Sequence, residues 1–458
     1  MALDITRNGI VLRRDGGAVT INRPGLNGGP GSQIEVSDAL ADRYRLATGD
    51  IVEGCTEPIQ EGRAATVSSD ECMEDAYDEE ERDEPQSIHG SSVTLWLVTR
   101  VVPTEKLVGI TRINGLAVEE ACDRPSPRRK RSQSERASPE RLAPLSVGPH
   151  DTTGRMLDFA APLGLGYAGY IAGPHGAGLS RTLRAVVSGV SSHAPDCVTI
   201  VLLLRARSEE LTDWRRRFPN VDVVVCPAPQ DGSTPEQTLQ MADLVLEAAC
   251  RQTELGRHVL IAIDSLTALW GAMLEFESAD AQANADHARA RQRIREVVQR
   301  AGNFSGEAPL GANLGGSLTI IGTMWQQSID EDAEDERELH PHLRLIEHIL
   351  HETSWRVSLS PYLAESRLYP AIETTRCFSR DEERLLSPEM FEQLREARTA
   401  LSSLSARDRY NRLMDTIDAT NDNTAMIRAL ATKERPLERQ YHMLFSALPE
   451  EIDQHIAD

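Results

Sequence analysis

Lysine is nearly missing from this chain. It occurs only at Lys106, Lys130 and Lys433 among 458 residues, so almost all positive charge is arginine. Aromatic residues make up 4%, which leaves few rings for stacking on bases. The seven cysteines (55, 72, 122, 197, 226, 250 and 377) are scattered, odd in number and free of any C-x-x-C pair. That argues against a disulfide framework and a zinc site, and suits a reducing cytoplasm. The longest apolar runs, residues 198–204 and 259–263, fall far short of the ~20 residues that span a bilayer. The first residues hold no apolar core for a signal peptide. The expectation is a cytoplasmic protein with no membrane partner. A formal net charge of −22 repels nucleic acid overall, so any such binding needs a local basic surface.

What is present changes texture along the chain. Residues 8–120 read as short strands with turns, at 9–14, 32–37, 49–54, 92–102 and 107–115, a pattern of a small all-β barrel. An acidic insert at 70–84 carries ten acidic residues against one arginine and reads as a solvated loop. Residues 121–150 are rich in Pro, Ser and Arg and read as a linker; its "RRKR" at 128–131 offers a basic contact. From 151 to 385, apolar strands at 169–173, 198–204, 221–226, 259–264, 317–324 and 355–360 alternate with helical patterns at 180–190, 207–217, 235–252 and 284–301. Such alternation predicts a parallel sheet covered on both faces. Residues 386–458 read as a helical C-terminal region, with helical pattern from 388 onward.

The chemistry concentrates at "GPHGAGLSRT", residues 173–182. Gly173, Gly176 and Gly178 have the spacing of a phosphate-binding loop between a strand and a helix, and Ser180 stands where a Mg²⁺-coordinating hydroxyl belongs. Leu179 occupies the place of the loop lysine. Backbone amides and the helix N-terminus can still hold phosphate. A second element is the apolar strand ending in Asp264, the form of a strand whose carboxylate holds Mg²⁺. A strand-end Asp also serves as a helix cap.

Five blocks, "RMLDFAAPLGLGYAGYIAGPHGAG" (155–178), "HAPDCVTIVLLLRARSEELTD" (193–213), "VLIAIDSLTALW" (259–270), "GGSLTIIGT" (315–323) and "LYPAIE" (368–373), together resemble the transcription termination factor Rho family. "RLATGDIVEG" (45–54) resembles that family's OB/cold-shock-like barrel. The resemblance covers 8–120 and 151–430. It implies a RecA-like P-loop NTPase core behind an RNA-binding barrel, a homo-oligomer in a hexameric ring, ATP and Mg as cofactors, single-stranded RNA as a ligand, and admits RNA polymerase as a partner. It also assigns roles. Tyr369 matches the position that stacks on adenine. Arg380 matches the arginine finger offered to the neighbouring subunit, and Arg367 a further arginine near that interface.

The departures from the family are as specific. The loop lysine is Leu179, and a second loop lysine is Gly176. The catalytic glutamate position aligns with Ala206; Glu209 and Glu210 follow but lie too far along the helix. The pore-loop lysine is His351, and Gly9 and Val11 fall where the barrel's stacking phenylalanines are expected. His340, His342, His348 and His351 crowd together beside an acidic run; a polar pore-facing loop is the simpler reading, a zinc or nickel site the other. The expectation is a Rho-like termination factor that binds ATP, hydrolyses it poorly and holds RNA weakly. The alternative is a regulatory or assembly protein that keeps the ring fold without RNA-dependent motor activity.

Overall fold

The computed structural model describes residues 9–13, 19–23, 32–59, 105–121, 136–137, 141–227, 233–278, 283–304, 316–326 and 353–431. The acidic insert, the "RRKR" run, the strand expected at 92–102, the four clustered histidines and residues 432–458 lie outside them.

Strands β1 (Ile10–Arg13), β2 (Val19–Arg23), β3 (Ser32–Val36), β4 (Val52–Pro58), β5 (Glu105–Ile113) and β6 (Leu116–Ala117) form one sheet in the order β1-β2-β3-β5-β4, with β6 on β5. An Ile10–Ile51 bridge, with Val11 N–H donating to the Asp50 carbonyl at 2.8 Å, joins the first strand to the segment entering β4 and closes the sheet on itself. The short helices α1 (Asp38–Arg43) and α2 (Val118–Ala121) flank it. The alternation that fills the interior is visible in β1: Val11 joins the barrel core, while Ile10 and Leu12 join the core of the larger domain. Both faces of β1 are therefore covered.

In the second domain β8 (Leu142–Ala143) and β9 (Leu163–Gly164) form a two-stranded ladder of their own, while β14 (Gly302–Phe304) pairs antiparallel with β7 (Arg136–Ala137) and with β15 (Gly316–Trp325) of the main sheet. Its main sheet comprises β10 (Ala168–Gly173), β11 (Val198–Ala206), β12 (Asp222–Pro227), β13 (His258–Asp264), β15 (Gly316–Trp325), β16 (Trp355–Ser358) and β17 (Phe378–Ser379). The order is β12-β11-β13-β15-β10-β16-β17, parallel from β12 to β16. The apolar runs that predicted these strands are buried on both sides, as a parallel sheet requires. The helices are α3 (Thr152–Ala160), α4 (Leu179–His193), α5 (Ser208–Arg217), α6 (Pro235–Glu254), α7 (Leu266–Ser278) and α8 (Ala283–Gln299). After the sheet come α9 (Pro361–Glu365), α10 (Glu382–Leu385), α11 (Pro388–Ser402), α12 (Ala406–Asp418) and α13 (Asn423–Ala431). Sequence periodicity misses β2, α3 and α7. In the last, Leu266, Leu269, Trp270, Ala272 and Met273 are buried between α6 and α8 while Ala268, Leu274 and Phe276 are apolar but only partly buried, so its one-sided stripe is blurred.

The barrel is keyed to the sheet domain through α6. Asp50, fully buried, accepts from Arg251 Nε at 2.9 Å and from Asn114 Nδ2 at 2.8 Å. Gln252 Nε2 donates to Asn114 Oδ1 at 3.1 Å, and Arg257 to the Asn114 carbonyl at 2.9 Å. A buried carboxylate held by one guanidinium and an amide is costly to break, so the two parts dock in one fixed geometry. At the other end, Arg155 is fully buried. Its guanidinium donates to the carbonyls of Ile417, Thr420 and Asp422 at 2.7–2.8 Å, which ties α3 to the turn between α12 and α13.

Candidate nucleotide site

The strand β10 ends at Gly173, where a Cβ would meet Leu359 at 2.7 Å, so only glycine lets the strand lie this close to its neighbour. The chain then turns through Gly176 (φ +78°) and Gly178 (φ +96°) into α4. Both glycines are left-handed, a conformation that side chains resist, and neither is crowded: a Cβ at Gly176 meets nothing within 4 Å. In this turn Ala177 N–H bonds back to the Pro174 carbonyl. The N–H groups of Gly176, Gly178, Leu179 and Ser180 have no protein acceptor among the described residues. The N-terminus of α4, with Gly178 as its cap residue, carries no side-chain cap. Open amides over a left-handed turn at a helix start form an anion cradle, so the loop fits a phosphate group.

The side chains around the cradle divide into those that fit a Mg-nucleotide and those that do not. Ser180 is half-buried in the first turn of α4, and its hydroxyl has no protein partner among the described residues. Asp264 ends β13, and its Oδ1 accepts from the Thr323 hydroxyl at 2.6 Å. Thr323 lies on β15, between the Asp264 strand and the loop strand, and Asp264 Oδ2 has no donor among the described residues. These two residues fit a Mg²⁺ ion on a phosphate. Tyr369 is half-buried against the core, and its hydroxyl donates to the Gly176 carbonyl at 3.0 Å, which sets its ring beside the loop. His175 stacks on Trp325 with ring centroids 4.6 Å apart. Leu179, by contrast, packs on the core cluster and supplies no charge.

The end of β11 departs from a regular strand. Arg205 sits at φ +55°, and the register to β12 shifts there. Its guanidinium is clamped in two bonds to Glu275 of α7, at 2.7 and 2.5 Å. Ala206, next along, is buried in the core. No carboxylate therefore stands at the strand end. The sequence reading set Glu210 aside as too far along, but on the first turn of α5 it feels the Asp264 charge. Its carboxyl is raised, first by partial burial and then by Asp264, with Arg184 and Arg207 opposing. Arg367 (φ +58°) and Arg380 are both exposed. Arg380 follows the edge strand β17, its backbone fixed by Ser354 and by the Tyr167 hydroxyl, and neither guanidinium has a partner among the described residues.

Val11 and Gly9 do not line a groove: Val11 is fully buried inside the barrel and Gly9 is buried beside it. No aromatic residue occurs among the described residues of the six barrel strands. Among the described residues, no cluster of His, Cys, Asp or Glu has the arrangement of a metal site, and no helix is long and apolar enough to cross a membrane.

Comparison with known proteins places the sheet domain. Residues 154–379 match the ATP synthase alpha/beta family, nucleotide-binding domain, a RecA-like core. The transcription termination factor Rho of Thermotoga maritima is 28% identical over 297 residues, 64% of this chain and 64% of that protein. Rho of Akkermansia muciniphila is 29% identical over 304 residues, covering 65% and 60%. Rho of Escherichia coli is 29% identical over 273 residues, covering 60% and 61%. The chain thus spans about three fifths of the length of these relatives. Among solved structures, an ATPase from the type III secretion system of pathogenic bacteria overlays with a TM-score of 0.49 at 16% identity, covering 64% of this chain and 85% of that one.

Proposed function

We propose that this chain, a divergent Rho-like protein, binds Mg-ATP at the 173–180 loop as a ligand, and that its motor chemistry is silenced. The observation that carries the reading is an amide cradle that remains open beside two apolar replacements, Leu179 and Ala206. Bound Mg-ATP would supply the phosphoryl group to be transferred. The chain's own part is to hold it. Gly173, Gly176, Gly178, Leu179 and Ser180 offer the loop and its N–H groups, Ser180 and Asp264 the metal ligands, and Tyr369 a ring for the adenine. Arg380 and Arg367 face outward, suited to a neighbouring subunit's phosphates in a hexameric ring. Losing one transition-state charge contact costs roughly 3–4 kcal/mol, and losing the group that positions water removes ~10²-fold or more. Hydrolysis therefore falls by orders of magnitude while binding through amides and stacking survives. Calorimetric titration with Mg-ATP tests the binding, and a phosphate-release assay tests the silence.

A second reading is favoured by the barrel: a regulatory or assembly protein of the ring fold without RNA-dependent motor activity. We read the closed sheet as the OB/cold-shock-like module of the resemblance, but with β1 covered on both faces and no ring on its described strands. Stacking is worth ~1–3 kcal/mol per base, so single-stranded RNA is held weakly. Binding of labelled RNA with a steep salt slope favours the termination factor and RNA polymerase as its setting; no binding at low salt favours assembly.

A further inference from the structure

The helix that starts at the 173–180 loop ends at His193, roughly 20 Å away by its rise per residue, and there the protein has a cavity of about 530 Å³. That is the size of a small-molecule site. It lies where the segment entering the domain, helices α3 and α4, and the C-terminal helices meet. Its apolar walls include Pro144, Leu386, Met390, Leu394 and Ile427. Neither lysine nor arginine lines it, whereas two carboxylates, Asp158 and Asp422, and His193 do.

The hydrogen bonds already made show what these three groups still need. Asp158 Oδ2 accepts from Ser146 N–H and from Asn423 Nδ2, and Oδ1 from Leu145 N–H alone, which leaves a lone pair on Oδ1. Asp422 caps α13 through Oδ1, at 2.8 Å from the Ala425 N–H, and its Oδ2 has no donor among the described residues. The Nδ1 of His193 lies 3.1 Å from the Gly189 carbonyl. A carbonyl can only accept, so Nδ1 carries a proton, and Nε2 accepts whenever the ring is neutral. Arg155, the nearest guanidinium along α3, donates to backbone carbonyls, the Thr420 hydroxyl and Asn423, and acts on Asp422 by charge alone, with no hydrogen bond to its carboxylate. The cavity combines an apolar wall with a set of acceptors short of donors.

We propose that this cavity binds a small organic cation: an amine or amidine on an apolar body, its N–H groups on Asp422, Asp158 and His193 and its body against the C-terminal helices. The inference is independent of the nucleotide reading. A ligand there would brace α11 and α13 against the core and raise the melting temperature by mass action.

The test uses the full chain and three probes of one shape: 1-naphthylmethylamine, 1-naphthalenemethanol and 1-naphthoate. Calorimetry at neutral pH should show the amine binding about tenfold or more tighter than the alcohol, since its hydrogen bonds to carboxylate are charge-assisted, and the carboxylate weakest. Asp422→Asn keeps a capping side chain but removes the charge, and should shrink the preference of amine over alcohol. Met390→Trp fills the cavity and should abolish amine binding; if it fails to fold, Asp422→Asn decides. Equal affinity for the three probes, no binding of the amine, or an amine affinity and preference untouched by Asp422→Asn overturns the proposal.

Discussion

The Tyr369 hydroxyl donates a 3.0 Å hydrogen bond to the carbonyl of Gly176. The Tyr369 carbonyl in turn accepts from Tyr410 at 2.8 Å, so the ring proposed to stack on adenine is held between the phosphate loop and helix α12. This gives the first prediction. Tyr369→Phe keeps the ring and loses one hydrogen bond worth about 1 kcal/mol, so Mg-ATP affinity should fall by about fivefold. Tyr369→Ala also loses the stacking surface and should fall at least a further tenfold. Titration of a fluorescent ATP analogue measures both; equal effects of the two variants would remove the ring from the site.

Arg155 organises the C-terminal helices. Its fork also donates to Thr420 Oγ1 and Asn423 Oδ1, and no other side chain reaches so many acceptors in that geometry. Arg155→Met should cost about 3–5 kcal/mol, because it leaves several buried acceptors unsatisfied at ~1–3 kcal/mol each, and Arg155→Lys nearly as much. Thermal unfolding should show both variants melting well below wild type, with loss of the cooperative C-terminal helical signal.

Asp158 gives a pH dependence with an unusual sign. Burial pushes its carboxyl up to about 6, against the lowering by Leu145 and Ser146 N–H, while an unfolded Asp titrates near ~3.9. The folded chain therefore binds the proton more tightly than the unfolded one. The contribution of this group to stability is greatest below about pH 4, falls as pH rises through about 6, and is flat above, a span of up to about 3 kcal/mol. The stability of wild type relative to Asp158→Asn should therefore decline across that window in melting experiments from pH 4 to 7. A rise would contradict the assignment.

The sheet domain was legible because its strands are apolar throughout and its loop glycines stand at a fixed spacing. Helix α7 was not, since apolar residues also occupy its half-buried side, at Ala268, Leu274 and Phe276, and blur the period. The barrel strand β2, Val19–Arg23, alternates apolar and polar residues, but it is only five residues long and lies between glycine-rich stretches of sequence, so its length does not mark it. The site was legible as residue types at Gly173, Ser180, Asp264 and Tyr369. What sequence could not give was the register: the bulge at Arg205, its clamp on Glu275, and the electrostatic reach of Asp264 to Glu210 all depend on how α5 and α7 pack beside β11. Val11 shows the same limit. Its place in the barrel core depends on which face of β1 turns inward.

If two missing groups silence the motor, restoring one should not revive it. Leu179→Lys returns a cation to the loop, and Ala206→Glu returns a carboxylate to the strand end. The doubly substituted chain should release phosphate at least ~10² times faster than either single variant. If Leu179→Lys alone restores full turnover, Glu210 already serves as the base, and Glu210→Gln in that background should abolish it.

The most direct measurement is calorimetric titration of Mg-ATP into wild type and Leu179→Lys. The account predicts micromolar binding by wild type and tighter binding by Leu179→Lys, because the open amides and the Tyr369 ring already hold the nucleotide. Absence of binding by both would contradict it and leave the loop without a ligand.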